Sequence, residues 1–115
     1  MITVYGIKNC DSVKKALAFF KKHGIAYEFV DFKTDPVGCE TVDRWCEHGG
    51  DMKQLFNTRG TTYRTLKLKE LNLDDAGKRD WLCKENMLIK RPVVEKENHV
   101  IIGFNEPLYE GELLS

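Results

Sequence analysis

The residues with the most chemistry to offer are a cysteine, Cys10, and two arginines, Arg59 and Arg91, each set in a turn-like context. Cys10 lies in Gly6-Ile7-Lys8-Asn9-Cys10-Asp11-Ser12, where a strand-like stretch gives way to a helical one. A thiol at a helix N-terminus faces unpaired backbone N–H groups and the positive end of the dipole. Such a site lowers its pKa from about 8.5 toward neutrality and makes it a nucleophile. Lys8 adds positive charge two residues away, and Asp11 opposes it. Arg59 stands in Asn57-Thr58-Arg59-Gly60-Thr61-Thr62, and Arg91 precedes Pro92. Two guanidinium forks can hold an oxyanion or a carboxylate bidentately, the electrostatic complement that a cysteine nucleophile needs.

The other cysteines, at 39, 46 and 83, form no C-x-x-C, and the third residue after Cys10 is Val13, so a local resolving thiol is lacking. Cys39, Val42 and Cys46 follow i, i+3, i+7, which reads as a core-facing helix stripe. Cys46-Glu47-His48 is too sparse for a zinc site, which takes four ligands in tighter pairs, so no metal is expected.

The elements that must position these groups follow from periodicity. Ile2-Thr3-Val4-Tyr5 reads as a strand, and Val13, Ala16, Leu17 and Phe20 repeat at helical spacing up to a stop at Gly24. Tyr27–Phe32 is a second strand, which makes a right-handed βαβ unit. Residues 36–87 are helical in pattern, with helices over 37–48, 51–56, 62–66 and 75–86 and with Trp45 and Trp81 as packing anchors. After Pro92, Val93-Val94-Glu95 and His99–Ile102 form a hairpin around Glu97-Asn98. Asn105-Glu106-Pro107 then starts a final helix with an apolar face of Leu108, Leu113 and Leu114. The order β-α-β, helical block, β-β-α predicts an α/β thioredoxin-like fold with a mixed four-stranded sheet. It is read as one domain, 1–115, whose thioredoxin-like parts (1–35 and 88–115) flank a helical insertion at about 36–87. An all-helical fold does not accommodate the hairpin, and the Rossmann and P-loop glycine motifs are absent.

Composition narrows the classes. With 18 basic and 18 acidic residues in 115, the formal charge is zero, so no global field draws in nucleic acid or an anionic membrane. No stretch reaches the roughly 20 apolar residues of a membrane span. A cytoplasmic protein with reduced cysteines, acting as a monomer, is expected.

Tyr5-Gly6-Ile7-Lys8-Asn9-Cys10-Asp11, Asn57-Thr58-Arg59-Gly60-Thr61-Thr62-Tyr63, Ile89-Lys90-Arg91-Pro92 and Gly103-Phe104 together resemble the ArsC/Spx family, and most closely its YffB-type branch. That family has a thioredoxin-like fold and includes glutaredoxin-coupled arsenate reductases and Spx transcription regulators. The resemblance implies that Cys10 is catalytic, that Arg59 and Arg91 surround it, and that the Arg91-Pro92 peptide is cis. It also places Lys8, Asn9, Asp11, Ser12, Pro92 and Phe104 around a substrate or thiol. Two departures stand out. Phe104 occupies the position of the reductases' third arginine, which weakens arsenate binding, and Val13 removes the second half of the regulators' C-x-x-C switch. The chain therefore reads as a monothiol oxidoreductase with no bound cofactor, using glutathione or a similar low-molecular-weight thiol as co-substrate, with glutaredoxin as a further partner. The alternative is a non-catalytic module that binds a protein such as RNA polymerase.

Overall fold

The computed structural model describes residues 2–114, and Met1 and Ser115 lie outside the described residues. β1 (Ile2–Gly6), α1 (Asp11–Lys22) and β2 (Tyr27–Asp31) form the expected βαβ unit, with β1 and β2 parallel. α2 (Cys39–Glu47), α3 (Met52–Leu55), α4 (Thr61–Thr65) and α5 (Asp75–Lys84) follow, and β3 (Val93–Lys96), β4 (His99–Ile102) and α6 (Glu106–Leu113) complete the chain. The strand order is β2-β1-β3-β4, with both later pairings antiparallel. This mixed sheet has the thioredoxin-like arrangement that the element order implies.

Strand alternation sorts the core into two clusters, one on each face of the sheet. Ile2, Val4, Val94 and Ile101 meet Ala16, Phe19 and Phe20 of α1 and Tyr109 and Leu113 of α6. Tyr5, Val93 and Val100 point the other way, toward Val42, Trp45, Leu55, Leu82, Leu88 and Ile89 of the helical block and its connections. Burying a side chain such as Phe20 contributes about 1.5–3 kcal/mol, so α1 is held by its apolar stripe rather than by helix propensity. Gly6 is required where β1 passes α1: a Cβ there would lie 2.7 Å from Val13 Cγ2. Gly24 has φ +65°, the left-handed conformation that ends α1 where the sequence places a stop.

Several boundaries and faces differ from the sequence reading. α2 starts at Cys39 rather than at 37 because Val37's backbone is held by the Asn86 side chain, N–H to Oδ1 at 2.7 Å and C=O to Nδ2 at 3.0 Å. α5 ends at Lys84 rather than at 86, followed by a 3₁₀ turn over Asn86–Leu88, and a second such turn spans Leu68–Leu71. In α6, Asn105 Oδ1 accepts from Leu108 N–H and fixes the helix phase. Tyr109 and Leu113 therefore face the core, while Leu108 and Leu114 are 44% and 43% exposed. The Tyr109 hydroxyl donates to the Gly103 carbonyl at 2.7 Å and ties α6 to the end of β4.

The cysteines bring the main correction. Cys39 and Cys83 are disulfide-bonded with their Cα atoms 5.0 Å apart, and Cys46 is exposed, so the Cys39-Val42-Cys46 stripe is not a core face. Only Val42 of the three is buried. The pairing was not legible because 44 residues separate the two positions and only the packing of α2 against α5 brings them together. Arg79 of α5 also reaches Asp43 of α2 with a two-pronged ion pair, 2.9 and 2.8 Å. Trp45 is fully buried as expected, whereas Trp81 is only half-buried and carries Lys84 over its ring at 4.8 Å.

Candidate active site

The sheet register gathers the sequence's candidates at one edge. Tyr5 pairs with Val93, so Gly6 and the turn behind it sit where Arg91-Pro92 leads into β3. Val93 pairs with Ile102, and Gly103 N–H donates to the Pro92 carbonyl at 2.7 Å, which brings the Gly103-Phe104 turn to the same edge. The Arg91-Pro92 peptide is cis. Arg59 arrives through the helical block. Asn57 N–H donates to the Leu88 carbonyl (2.9 Å) and Lys90 N–H to the Leu55 carbonyl (2.7 Å), laying the Arg59 loop beside the segment that carries Arg91.

Cys10 is the N-cap residue of α1, with extended backbone, and its carbonyl accepts from Lys14 N–H at 2.9 Å. No side chain caps the first turn, so the amides of Asp11, Ser12 and Val13 are not taken up by a cap. Cys10 is partly buried against the cluster on the helical-block face. Lys8, Asn9 and Asp11 are exposed, Ser12 is half-buried, and Pro92 is buried. Asn9 Oδ1 receives a long hydrogen bond from Lys14 Nζ (3.5 Å).

The arginines sit differently. Arg59 is exposed, and its guanidinium has no hydrogen bond or ion pair among the described residues; its own backbone N–H is held by Asn57 Oδ1 at 3.1 Å. Arg91 is half-buried. Its Nη1 donates to the Met87 carbonyl at 3.3 Å, while its Nε is buried with no partner among the described residues. A cleft of about 280 Å³ opens on the β4 side, lined by Lys53, Asn57, Arg59, Lys90 and Ile102 among others, and none of its lining residues is acidic. The strand order puts Arg91-Pro92 between this cleft and the Cys10 turn.

Phe104 is the one candidate that the structure sets apart. It packs edge-on against Tyr109 at 5.2 Å and belongs to the cluster on the α1–α6 face, opposite the one that Cys10 touches. The second free thiol, Cys46, lies on the exposed side of α2. Local desolvation, then the carboxylates of Asp43, Asp75 and Asp51, push its thiol up.

Sequence reasoning missed a part-buried ion-pair cluster centred on Glu95. Arg44 Nε and Nη2 donate to its two oxygens at 2.8 and 2.9 Å, the Tyr5 hydroxyl donates at 3.1 Å, and His48 Nδ1 lies at 3.3 Å. Burial acts to raise the Glu95 carboxyl, but Arg44, with Tyr5 and His48, outweighs it and holds the group below the usual range. The signal was present: two-residue alternation puts Glu95 on the same buried face as Val93, in a central strand.

Set beside known proteins, the sequence model of the ArsC family matches residues 5–111. The chain belongs to the ArsC family. A Haemophilus influenzae protein is 39% identical over 96% of this chain and 97% of its own length. The solved structure of YffB (PA3664) superposes with a TM-score of 0.89, is 36% identical, and covers 98% of this chain and 99% of the other. A Listeria innocua protein named as the global transcriptional regulator Spx is 27% identical over 92% of this chain and 82% of its own. The ArsC-family fold is thus an arsenate-reductase-like one, with regulators among its relatives.

Proposed function

We propose that this ArsC-family protein is a monothiol oxidoreductase that uses glutathione or a similar low-molecular-weight thiol, with Cys10 as nucleophile. The observation that carries the reading is the lack of acidic partners for Arg59, Arg91, Lys53 and Lys90 among the described residues, at the edge where Cys10 caps α1. Cations left unpaired at the sheet end that also carries a thiol are open to an anionic thiol or an oxyanion that supplies the missing charge.

In this reading the Cys10 thiolate attacks a disulfide, the new Cys10–sulfur bond forms, and the other half departs as a thiolate. A second thiolate then attacks the outer sulfur of the adduct, releases the small disulfide and returns Cys10 as thiolate. The amides of residues 11–13 and the two arginines stabilise negative sulfur in both steps. Val13, fully buried three residues after Cys10, leaves resolution to an external thiol. The reading fits a cytoplasmic setting, where such thiols are abundant.

Intact-mass analysis after exposure to oxidised glutathione tests it. One adduct is expected on wild type, and its persistence in Cys10→Ser would remove the reading. Arsenate turnover, measured in a coupled glutathione–glutaredoxin assay, is expected to be weak because two arginines stand where the reductases have three. Turnover at a true reductase's rate would show that two suffice. The Spx relative favours a second reading, a regulatory module that binds a protein, for which thiol reactivity is incidental; full cellular function of Cys10→Ser would select it.

A further inference from the structure

The disulfide between α2 and α5 is polarised by the ends of the two helices it joins. Cys39 is the first residue of α2, and Gly38 before it has no side chain to cap the free amides there. Cys83 is the penultimate residue of α5, where carbonyl oxygens gather. A thiolate is favoured at a helix N-terminus and disfavoured at a C-terminus, and the thiol of lower pKa is the faster leaving group. Access points the same way. A cleft of about 320 Å³, lined by Phe32, Lys33, Cys83, Lys84, Glu85 and Met87 among others, reaches Cys83 but not Cys39. Lys33 and Lys84, the latter with its ammonium over the Trp81 ring, stand at its wall against Glu85.

Another contact holds the same junction independently of sulfur. Asn86, 8% exposed, binds both the N–H and the C=O of Val37, two residues before Cys39. Breaking the disulfide therefore leaves the two chain segments clamped close to the bonded geometry, and the dithiol stays placed to close again.

We infer that Cys39–Cys83 is a second thiol–disulfide centre, separate from Cys10, reduced by an anionic low-molecular-weight thiol bound in the Lys33–Lys84 cleft. The thiolate attacks Cys83 Sγ, a mixed disulfide forms on Cys83, the Cys39–Cys83 bond breaks, and Cys39 departs as a thiolate. A second thiolate attacks the outer sulfur of the adduct, so two thiols become one small disulfide and the protein gains two thiols. The protons of the two incoming thiols end on Cys39 and Cys83.

Glutathione serves as the probe. Wild-type protein, with Cys10 and Cys46 first blocked by N-ethylmaleimide, is mixed with reduced glutathione, quenched with iodoacetamide at intervals, and mapped by peptide mass. The transient species is expected to carry glutathione on Cys83 and the alkyl group on Cys39, in about tenfold excess over the reverse, before both cysteines become alkylated. Adducts mainly on Cys39, or a disulfide intact after prolonged exposure, would overturn the inference. Lys33→Glu with Lys84→Glu should slow reduction by glutathione, whose carboxylates add to the charge of its attacking thiolate, several-fold more than reduction by 2-mercaptoethanol, whose thiolate carries no other charge. Slowing of both alike, or of neither, would overturn the role of the cleft.

Discussion

Two charged regions of this molecule are built on opposite plans. Around Glu95, the carboxylate meets two nitrogens of Arg44, the Tyr5 hydroxyl and His48, all within 3.3 Å. At the Cys10 edge, Arg59, Lys53 and Lys90 have no acidic partner among the described residues, and Arg91 keeps a buried nitrogen unpaired. Burying a polar group without a partner costs on the order of 1–3 kcal/mol, so a folded chain satisfies such groups unless another demand prevails. The satisfied cluster fastens α2 to the face of β3. At the other, among the described residues, Arg91 Nε alone is buried without a partner, while the exposed cations can exchange water for an anion from outside, and so the function is sought there.

The sharpest way to break that contrast is to remove the nucleophile. Cys10→Ser is expected to abolish the adduct formed from oxidised glutathione and the turnover of small disulfides, whereas Cys46→Ser leaves both unchanged. Peptide mapping of protein alkylated at pH 6 checks the same point, with Cys10 labelled before Cys46. Comparable labelling of Cys46 would show that the edge gives its cysteine no advantage.

Next in size is Glu95→Gln, expected to cost about 2–3 kcal/mol of stability, because Arg44 loses its charge partner where both groups are partly shielded. The adduct rate should not change. The acid limb offers a second check. The folded-state carboxyl lies below its unfolded value, so its stabilisation is fully present above the ordinary carboxylate range and is lost as pH falls through the folded pKa. Urea midpoints measured from neutral pH downward should therefore converge for wild type and Glu95→Gln in acid. A constant gap between the two curves would show that the cluster stabilises by shape rather than charge.

Arg59→Ala and Arg91→Ala should show the reverse pattern. A charge-assisted hydrogen bond is worth about 1.5–3 kcal/mol, so adduct formation should slow about 10- to 100-fold. Arg59→Ala leaves stability nearly unchanged, since the side chain is exposed and bonds to nothing described. Lys at either position restores the rate in part, keeping the charge and losing the fork. Rates indifferent to both arginines, measured by intact-mass time courses, would break the comparison at its centre.

What could be read in advance followed the range of the forces involved. The βαβ unit, the hairpin, Cys10 at the start of α1 and the Gly24 stop all rest on local periodicity and turn chemistry, and they stand as read. Tyr109 and Phe19 as core anchors, the start of α2 at Cys39, the Cys39–Cys83 bond and the partners that Glu95 finds in Tyr5, Arg44 and His48 depend on elements distant in sequence, and a pattern within one window does not hold that information. The site divides in the same way. Motifs named Cys10, Arg59 and Arg91, but only the β1–β3 and β3–β4 registers put the Cys10 turn and Arg91-Pro92 at one edge. The same folding carried Phe104 onto the opposite face, and Lys53 and Lys90 became visible only as walls of a shared cleft.

Those two lysines supply the smallest and most discriminating test. Lys90 is exposed and lines the cleft with Arg59, one residue from Arg91, yet the strand order sets Arg91-Pro92 between the cleft and the Cys10 turn. A charge at that remove, exposed to solvent, acts on where an anionic thiol binds rather than on the sulfur that reacts. Exposed charges interact weakly, by about 0.2–1 kcal/mol, and salt screens them within about 8–10 Å. Lys90→Ala should accordingly raise KM for glutathione two- to fivefold, by that same small energy, and leave kcat unchanged. The difference from wild type should vanish in high salt, and Lys53→Ala should behave alike. A fall in kcat at constant KM would mean that Lys90 reaches the reacting sulfur. The cationic edge would then be a single catalytic pocket, not a thiol centre with a separate anion-binding wall.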